Sequence, residues 1–257
     1  MPALRAVTRP VAPMLAKPTP AIPDGDGWIY EPKWDGFRCL AFRDGKDVEL
    51  RSKAGKPLGR YFPDIVAAIA EVDAPRFVLD GEIVIAIDGA LSFDDLLLRI
   101  HPAESRVTKL ANQTPAELIA FDLLVDAAGE NLTGEPLLER RKALEIFAEN
   151  ALDARGRIHL SPWTADRETA TRWLQEGPGG LDGVMAKQAD AAYASGERNA
   201  MLKIKRLRTA DCVVGGFRWS SNGKDIGSLL LGLYGDDGKL HHVGFCSALS
   251  GERRDEA

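Results

Sequence analysis

The sequence predicts an α+β fold built on antiparallel sheets. Two Asp-Gly dipeptides, Asp44-Gly45 and Asp88-Gly89, each lie between short apolar runs, a pattern typical of type I′ β-hairpins. Helical periodicity occurs only in scattered segments and does not alternate regularly with strands, which argues against a parallel sheet of βαβ units. After residue 208, three more short strands follow one another across turn residues.

The first 207 residues hold most of the predicted elements. The N-terminal 27 residues are rich in proline and show little periodicity, which predicts an extended arm. Helices are predicted over 63–72, 137–148 and 167–175, the first opening with Pro63, which suits a first helical turn. Strands are predicted over 28–32, 37–43, 46–51, 77–79, 82–87, 118–125, 183–187 and 201–205.

The segment after Arg208 predicts a second, smaller β-module. Its strands, 211–219, 228–234 and 240–245, are separated by Ser, Asn, Gly and Asp turns. Such a meander is typical of the opening of a small barrel, and a five-stranded barrel needs more strands than these. We therefore predict an extended arm over 1–27, a main domain over 28–207 and the first part of an incomplete barrel over 208–257.

Composition favours a globular protein of the cytoplasm. Hydrophobic residues make up 45% of the chain and charged residues 28%, as is ordinary for a globular domain. No apolar run approaches the roughly 18 residues that span a bilayer, and no export signal is visible at the N-terminus. Cys39, Cys212 and Cys246 are too far apart in the sequence to predict a disulfide framework or a zinc site. The net charge of −5 argues against non-specific coating of nucleic acid but permits a local basic face.

Lys33 lies at the end of a predicted strand, within the segment EPKWDGFR. It is either a solvated charge before a tight turn or a nucleophile that the flanking backbone holds still. A lysine amine is protonated at neutral pH and becomes nucleophilic through desolvation, nearby positive charge or a metal ion. Lys203 and Lys205 alternate on a strand and so face one side. If that side meets Lys33, the two cations favour a neutral amine and also neutralise phosphate charge.

Two carboxylates and one aromatic residue complete a candidate site. Glu82 follows Asp80-Gly81 and Asp182 precedes Gly183, although each Asp-Gly pair, taken alone, is more typical of a simple turn. Mg²⁺ takes one or two carboxylates together with substrate phosphates, so the pair could hold such an ion. Phe121 ends a buried strand and is either a core residue or a platform on which a base stacks. Neither a P-loop nor a G-x-G-x-x-G turn is present in the sequence.

Six segments, in this order, resemble the covalent nucleotidyltransferase superfamily, specifically the small ATP-dependent DNA ligases of bacteria. The segment Glu31–Arg38 resembles the family's adenylation motif, and the others are Arg51-Ser52-Lys53, Asp80-Gly81-Glu82, Phe121-Asp122, Asp182-Gly183-Val184-Met185-Ala186-Lys187 and Lys203-Ile204-Lys205. The resemblance covers nearly the whole chain from about Trp28. Asp182 replaces a frequent glutamate, Met201 replaces a frequent tryptophan, and the family's last basic motif has no counterpart before Ala257.

The resemblance implies an adenylation domain followed by an incomplete OB-type barrel. It implies that Lys33 is the catalytic nucleophile, which takes AMP from ATP as a covalent adduct. It implies nucleotide contacts by Glu31, Arg38, Arg51, Glu82, Phe121, Lys203 and Lys205. In this assignment Glu31 selects adenine through its exocyclic amine, Phe121 stacks on the base, and the paired lysines hold the α-phosphate. Glu82 and Asp182 would hold Mg²⁺ or Mn²⁺.

The implied partner is nicked double-stranded DNA, sealed as in DNA repair. AMP passes to a DNA 5′-phosphate, and the 3′-OH then displaces it. The stretch with Arg51, Lys53, Lys56 and Arg60 is expected to meet backbone phosphates, which carry no sequence information. We expect a monomer that other repair proteins could join, and no membrane partner. Two alternatives stay open: an RNA ligase or capping-type nucleotidyltransferase, and a nucleotide- or DNA-binding fragment whose turnover is impaired by the incomplete barrel.

Overall fold

The structure, a computed structural model, describes residues 12–153, 155–177, 181–206, 209–221 and 223–247. The chain divides into two compact units, Met1–Arg206 and Leu207–Ala257. The helices of the larger unit are α1 (Pro63–Glu71), α2 (Phe93–Arg99), α3 (Glu104–Gln113), α4 (Leu137–Ala151) and α5 (Arg167–Glu176). Its strands are β1 (Lys17–Pro18), β2 (Trp28–Lys33), β3 (Phe37–Asp44), β4 (Asp47–Ser52), β5 (Arg76–Val84), β6 (Ala86–Ile87), β7 (Ala90–Leu91), β8 (Glu117–Val125), β9 (Ile158–Leu160), β10 (Gly183–Gln188) and β11 (Met201–Lys205). The smaller unit contains β12 (Val213–Trp219), β13 (Ile226–Tyr234) and β14 (Leu240–Cys246).

The first sheet of the larger unit has the strand order β4-β3-β5-β8-β9. Its neighbours are antiparallel except for β8 and β9, which run parallel. Because successive side chains of a strand point to opposite faces, Cys39 and Ala41 of β3 join the core on one side while Leu40 and Phe42 face the other. Helices α1 and α4 cover the first side and contribute buried residues such as Ile65 to that core.

The second sheet has the order β1-β11-β10-β2, and α5 covers one of its faces. Tyr30, Val184 and Ile204 point to that face and pack with the buried Ala170 of α5. The helix starts at Asp166, whose carboxylate accepts hydrogen bonds from the first backbone N–H groups, and ends at Gly177 in the left-handed conformation. These caps satisfy the polar groups at both ends of α5, which covers this face of the sheet, so the opposite face is the one left to build a site.

The two sheets face each other across a second core. Leu40 and Phe42 of the first sheet, Met201 of β11 and Met14 of the N-terminal arm are buried together in it. The arm is held there because β1 pairs in parallel with β11 and the N–H group of Leu15 donates to the carbonyl of Glu197 at 2.8 Å. Residues 12–18 are thus part of the packed larger unit.

The smaller unit is an antiparallel meander in which β13 lies between β12 and β14. Phe217 and Trp219 of β12 pack edge to face with ring centroids 5.0 Å apart, and both rings are largely exposed. The predicted OB-type barrel is not closed within the described residues of this unit. Across the described part of the whole chain, no helix is both long and apolar enough to cross a membrane.

The predicted α+β class is confirmed, and two local expectations are wrong. The expected break at Asp80-Gly81 does not exist, because β5 runs through both residues. The first hairpin turns one residue later than expected: Asp44 pairs with Asp47, and Gly45, with φ +62, takes the first central position that suits a II′ turn. In the second hairpin Asp88 and Gly89 both have positive φ, as a I′ turn requires. Helices α2 and α3 were not predicted.

Gly81 gives a direct test of the sheet's close packing. A Cβ at this position would lie 2.6 Å from the carbonyl oxygen of Ile119 on β8, which is backbone and cannot turn aside. We expect Gly81→Ala to lower the free energy of unfolding by about 1–3 kcal/mol, as overpacking of a tight core does. Urea denaturation measures this change in the free energy of unfolding. Gly134→Ala is the matched control, because nothing lies within 4 Å of its added Cβ; equal stability of the two variants would contradict the packing described.

Candidate active site

The face of the second sheet opposite α5 carries a grid of charged and sulfur-containing side chains. Register aligns Lys33 with Gly183 and Lys205 across β2, β10 and β11. One step further along the strands lie Glu31, Met185 and Lys203, followed by Ile29, Lys187 and Met201. Since strand side chains alternate between faces, these residues share the side opposite α5. Residues distant in sequence are therefore brought together by strand pairing alone.

A cleft of about 240 Å³ opens over this face. It is lined from the second sheet by Glu31, Pro32, Lys33, Trp34, Met185, Lys187, Met201, Lys203 and Lys205. The first sheet adds Arg38, Glu82 and Phe121, and the loop after β4 adds Lys53. The N-terminal arm adds Pro13, Met14, Leu15 and Ala16. Of the residues predicted for the site, Arg51 and Asp182 are outside this lining, although Asp182 bonds to two residues within it.

Lys33 is ion-paired with Asp182. Its Nζ lies 2.5 Å from Oδ2 of Asp182, and Nζ of Lys205 lies 3.0 Å from the same oxygen. Burial acts to raise the pKa of Asp182, but the hydrogen bonds from Lys33 and Lys205 outweigh it and lower that pKa below its ordinary value. Asp182 therefore joins the ends of β2 and β11 and fixes the Lys33 side chain at the cleft.

The backbone after Lys33 is held close to the first sheet. A Cβ on Gly36 would collide with the carbonyl oxygen of Ile83, so only glycine fits at this position. The contact explains why Asp-Gly follows the lysine: it lets the chain pass against β5, which carries Glu82 into the cleft. The sequence motif is thus a packing requirement as well as a chemical one.

Glu82 lies in an environment that strongly raises the pKa of its carboxyl group. Burial raises its pKa to about 7, against the opposing effect of the positive charges of Arg38 and Lys33. A carboxyl group with this pKa exchanges its proton near neutral pH, and a cation or a hydroxyl donor that binds it favours the charged form. Lys203 is shifted in the complementary sense, because burial and the charges of Lys205, Lys53 and Lys33 lower its pKa.

Arg38 is anchored by Asp80 at the floor of the cleft. Its Nε and Nη2 donate to the two carboxylate oxygens at 2.6 and 2.7 Å, and Tyr193 donates its hydroxyl to Oδ2 at 2.6 Å. Burial alone would lower the pKa of Arg38, yet Asp80 more than compensates and raises it. Burial also raises the pKa of the Tyr193 hydroxyl, and the negative charge of Asp80 raises it further. The guanidinium carbon of Arg38 then lies 4.5 Å from the ring centroid of Phe121.

Glu31 and Lys187 form a second buried pair next to Phe121. Lys187 Nζ lies 2.8 Å from Glu31 Oε2, and the same nitrogen lies 4.5 Å from the centroid of the Phe121 ring. The aromatic ring is therefore in contact with two cations while one edge of the cleft carries a carboxylate. Such a surface suits a flat, polar, aromatic ligand with a hydrogen-bond donor on its rim.

Arg51 and Asp122 have other partners. Arg51 Nε lies 2.6 Å from Glu49 Oε1, and its guanidinium carbon lies 5.3 Å from the Phe42 centroid. Asp122 accepts from Nε and Nη2 of Arg140, both at 2.8 Å, in a buried pair. Of the basic segment Arg51-Ser52-Lys53, it is therefore Lys53 that reaches the cleft.

The carboxylates of the site fit a divalent cation only together with a ligand. In the parts of the chain that the structure describes, no group of three or more His, Cys, Asp or Glu side chains is placed to hold a metal ion. Glu82 is free to contribute one oxygen, whereas Oδ2 of Asp182 is shared by two ammonium groups. Mg²⁺ commonly uses one or two carboxylates and completes its shell with phosphates and water. The donor set fits that use and not a cage made by the protein alone.

Sequence reasoning missed three contributors to the site. Lys187 was quoted within a motif but given no role, although strand alternation from Met185 places it on the same face. Arg141, on α4, reaches Glu31 from outside every motif, with Nη1 3.8 Å from Oε1. The N-terminal arm was given no role in the site, yet Met14 lines the cleft. Only the first of these had a signal in the sequence.

Comparison with known proteins places these residues in a family. Residues 13–205 match the family described as "ATP dependent DNA ligase domain". DNA ligase C of Mycobacterium tuberculosis is 53% identical over 252 residues, which cover 96% of this chain and 69% of that protein. The multifunctional non-homologous end joining protein LigD of Mycobacterium bovis is 33% identical over 89% of this chain and 28% of that protein. A solved structure of mycobacterial DNA ligase D complexed with ATP and MES aligns with TM-score 0.61 and 30% identity, covering 95% of this chain and 74% of that one.

The raised pKa of Glu82 makes stability depend on pH in a defined direction. Between its ordinary value near 4.5 and about 7, the folded protein binds the Glu82 proton more tightly than the unfolded chain does. Stability relative to Glu82→Gln should therefore fall as pH rises through this window, by roughly 2–3 kcal/mol, and stay lower above it.

Urea denaturation at pH 5 and pH 8 measures this difference. Glu71→Gln, at the exposed end of α1, is the control and should show no such pH-dependent gap from the parent protein. A gap between parent and Glu82→Gln that is the same at both pH values would show that Glu82 is not buried as described.

Proposed function

This chain belongs to the family of ATP-dependent DNA ligase domains, and we propose that it joins DNA strands through an adenylate carried covalently on Lys33. In the first step the Lys33 amine attacks the α-phosphorus of ATP. The new N–P bond forms as the bond to pyrophosphate breaks, and the amine loses its proton. AMP then passes to the 5′-phosphate at a nick, and the 3′-OH displaces it to close the strand.

The observation that supports this proposal most strongly is the position of Lys33 among cations at the mouth of the cleft. Phosphoryl transfer requires in-line positioning and neutralisation of charge more than covalent assistance from the protein. Asp182 holds the Lys33 side chain in place, and Lys203 and Lys205 lie on β11, across β10 from Lys33 and on the same face. These lysines are suited to hold the phosphate groups of ATP while the amine attacks.

The rest of the cleft suits the nucleoside. We propose that Phe121 stacks on adenine and that Glu31 accepts a hydrogen bond from its exocyclic amine. Arg38, immobilised by Asp80, faces the ribose or the nick phosphate. Arg51 is proposed to contact the ribose or the DNA, although its ion pair with Glu49 would first have to open.

A divalent ion, Mg²⁺ or Mn²⁺, would be held by Glu82 and the substrate phosphates, where it would add charge neutralisation. Asp182 could join as a second ligand only by releasing Lys33 and Lys205, which share its Oδ2. In this proposal the first task of Asp182 is to orient the nucleophile. Loss of the lysine proton then weakens the pair with Lys33, while the pair between Asp182 and Lys205 remains.

The DNA partner would be nicked duplex, bound through its phosphates by a protein that acts as a monomer in the cytoplasm. Lys53 reaches the cleft, and Lys56 and Arg60 are exposed further along the same loop. A local group of cations can bind phosphates although the net charge of the chain is −5. We also propose the domain limits given above, with residues 208–257 as the first part of an OB-type module and residues 1–27 as an arm.

Lys33→Ala should abolish covalent labelling by ATP carrying a labelled α-phosphate, because it removes the amine that attacks in this proposal. The measurement is a labelled band on a denaturing gel, with circular dichroism to show that the variant is folded. Lys46→Ala, an exposed lysine in the β3–β4 turn, is the matched control and should label like the parent protein. A band that persists in Lys33→Ala would refute the assignment.

The same labelled protein separates the alternatives. A DNA ligase should transfer its label to the 5′-phosphate of nicked DNA and seal it in preference to nicked RNA. Labelling by GTP in place of ATP would instead favour a capping-type enzyme. A fragment with impaired turnover would label poorly from ATP yet join a nick that is already adenylated, and failure of both reactions would favour a binding module.

A further inference from the structure

Two buried polar atoms near the cleft have no hydrogen-bond partner among the described residues. They are Oε1 of Glu31 and Nη1 of Arg141. The two atoms lie 3.8 Å apart, and each side chain is only 2% exposed. Buried polar atoms almost always have partners, so a matched donor and acceptor left open beside a binding cleft call for an explanation.

Arg141 is held back from Glu31 by its other contacts. Its Nη2 donates to the carbonyl of Ser161, and its Nε approaches Oε1 of Glu145 at 3.4 Å. The hydroxyl of Ser161 in turn accepts from the indole N–H of Trp34 at 3.0 Å, and Trp34 lines the cleft beside Lys33. The guanidinium is therefore fixed at a distance from which it adds positive charge but does not occupy Oε1.

The neighbouring Arg140 shows that this arrangement is not general for the helix. Arg140 bonds both oxygens of Asp122 through Nε and Nη2, and its Nη1 donates to the carbonyls of Glu135 and Ala191. Every nitrogen of Arg140 is thus engaged, either with Asp122 of β8 or with a carbonyl outside the strands. Arg141 retains one unengaged nitrogen, and it points toward the carboxylate that lines the cleft.

The other carboxylate oxygen of Glu31, Oε2, is paired with Lys187, whose Nζ lies 2.8 Å away. A carboxylate between two cations offers only acceptors to a ligand. The unpaired Oε1 can then accept a hydrogen bond from an amino group of the ligand. A carbonyl oxygen in place of that amino group would put two hydrogen-bond acceptors against each other. Burial makes such a mismatch costly, because both groups lose their contact with water.

We propose that Arg141 is a positioning residue that makes the cleft select a 6-amino purine over a 6-oxo purine. This proposal rests on the proposed function, and in particular on the hydrogen bond from adenine to Glu31. Arg141 acts through Glu31: its charge orients the carboxylate, while its bonds to Ser161 and Glu145 keep Oε1 available to the base. Nothing in the motif pattern assigns this role, because Arg141 lies on α4, outside the six motif segments of the sequence.

Arg141→Met tests the proposal, since methionine keeps much of the length and removes the charge. The measurement is the rate of covalent adduct formation against nucleotide concentration, with ATP and with inosine triphosphate. We expect the ratio of kcat/KM for the two nucleotides to fall by about tenfold or more, chiefly through a higher KM for ATP. Arg141→Lys, which restores the charge without the planar fork, should recover part of the ratio.

Lys142→Met is the matched control, an exposed cation on the same helix with the same change of charge. Its nucleotide ratio should equal that of the parent protein. The ratio does not depend on the folded fraction of a variant, so partial unfolding of Arg141→Met does not obscure the result. An unchanged ratio, or equal losses for both nucleotides, would overturn the proposal. If the parent protein forms no adduct with either nucleotide, the proposed function itself fails.

Discussion

The ion pairs that Asp182 makes with Lys33 and Lys205 connect the fold of this protein to its chemistry. They exist because β2, β10 and β11 pair in one register, which places both lysines beside the start of β10. A shift of one residue in that register would turn Lys33, Glu31 and Lys203 toward α5 and bury their charges without partners. The register is therefore strongly constrained by the same residues that form the site.

A second constraint is the amount of charge that the larger unit buries. Arg38 with Asp80, Glu31 with Lys187 and Arg140 with Asp122 are all paired at hydrogen-bond distance. Removing one partner from such a pair leaves an uncompensated buried charge, which commonly costs about 3–5 kcal/mol. Two of these pairs hold Arg38 and Lys187 against the ring of Phe121, which fixes its surroundings before any ligand binds. The site is thus preorganised for a charged aromatic ligand, at the expense of tolerance to substitution.

The sequence predicted the fold class, most strands and the chemical character of the cleft, because those depend on local patterns and ordered motifs. It did not predict the continuity of β5 through Asp80-Gly81, since a dipeptide that favours turns can also serve where two strands approach closely. The contribution of Arg141 was equally out of reach, because it depends on how α4, packed on the first sheet, brings this side chain near Glu31 of β2. Short helices such as α2 carry too few turns for a clear periodicity.

The account depends most on which lysine of the cleft becomes adenylated. Lys33, Lys53, Lys187, Lys203 and Lys205 all line it, so covalent labelling of the chain alone does not identify the nucleophile. Peptide mapping by mass spectrometry after incubation with ATP and Mg²⁺ distinguishes them directly. The account predicts one AMP group, on the peptide containing Lys33. AMP on any of the other four lysines, with Lys33 unmodified, would contradict it.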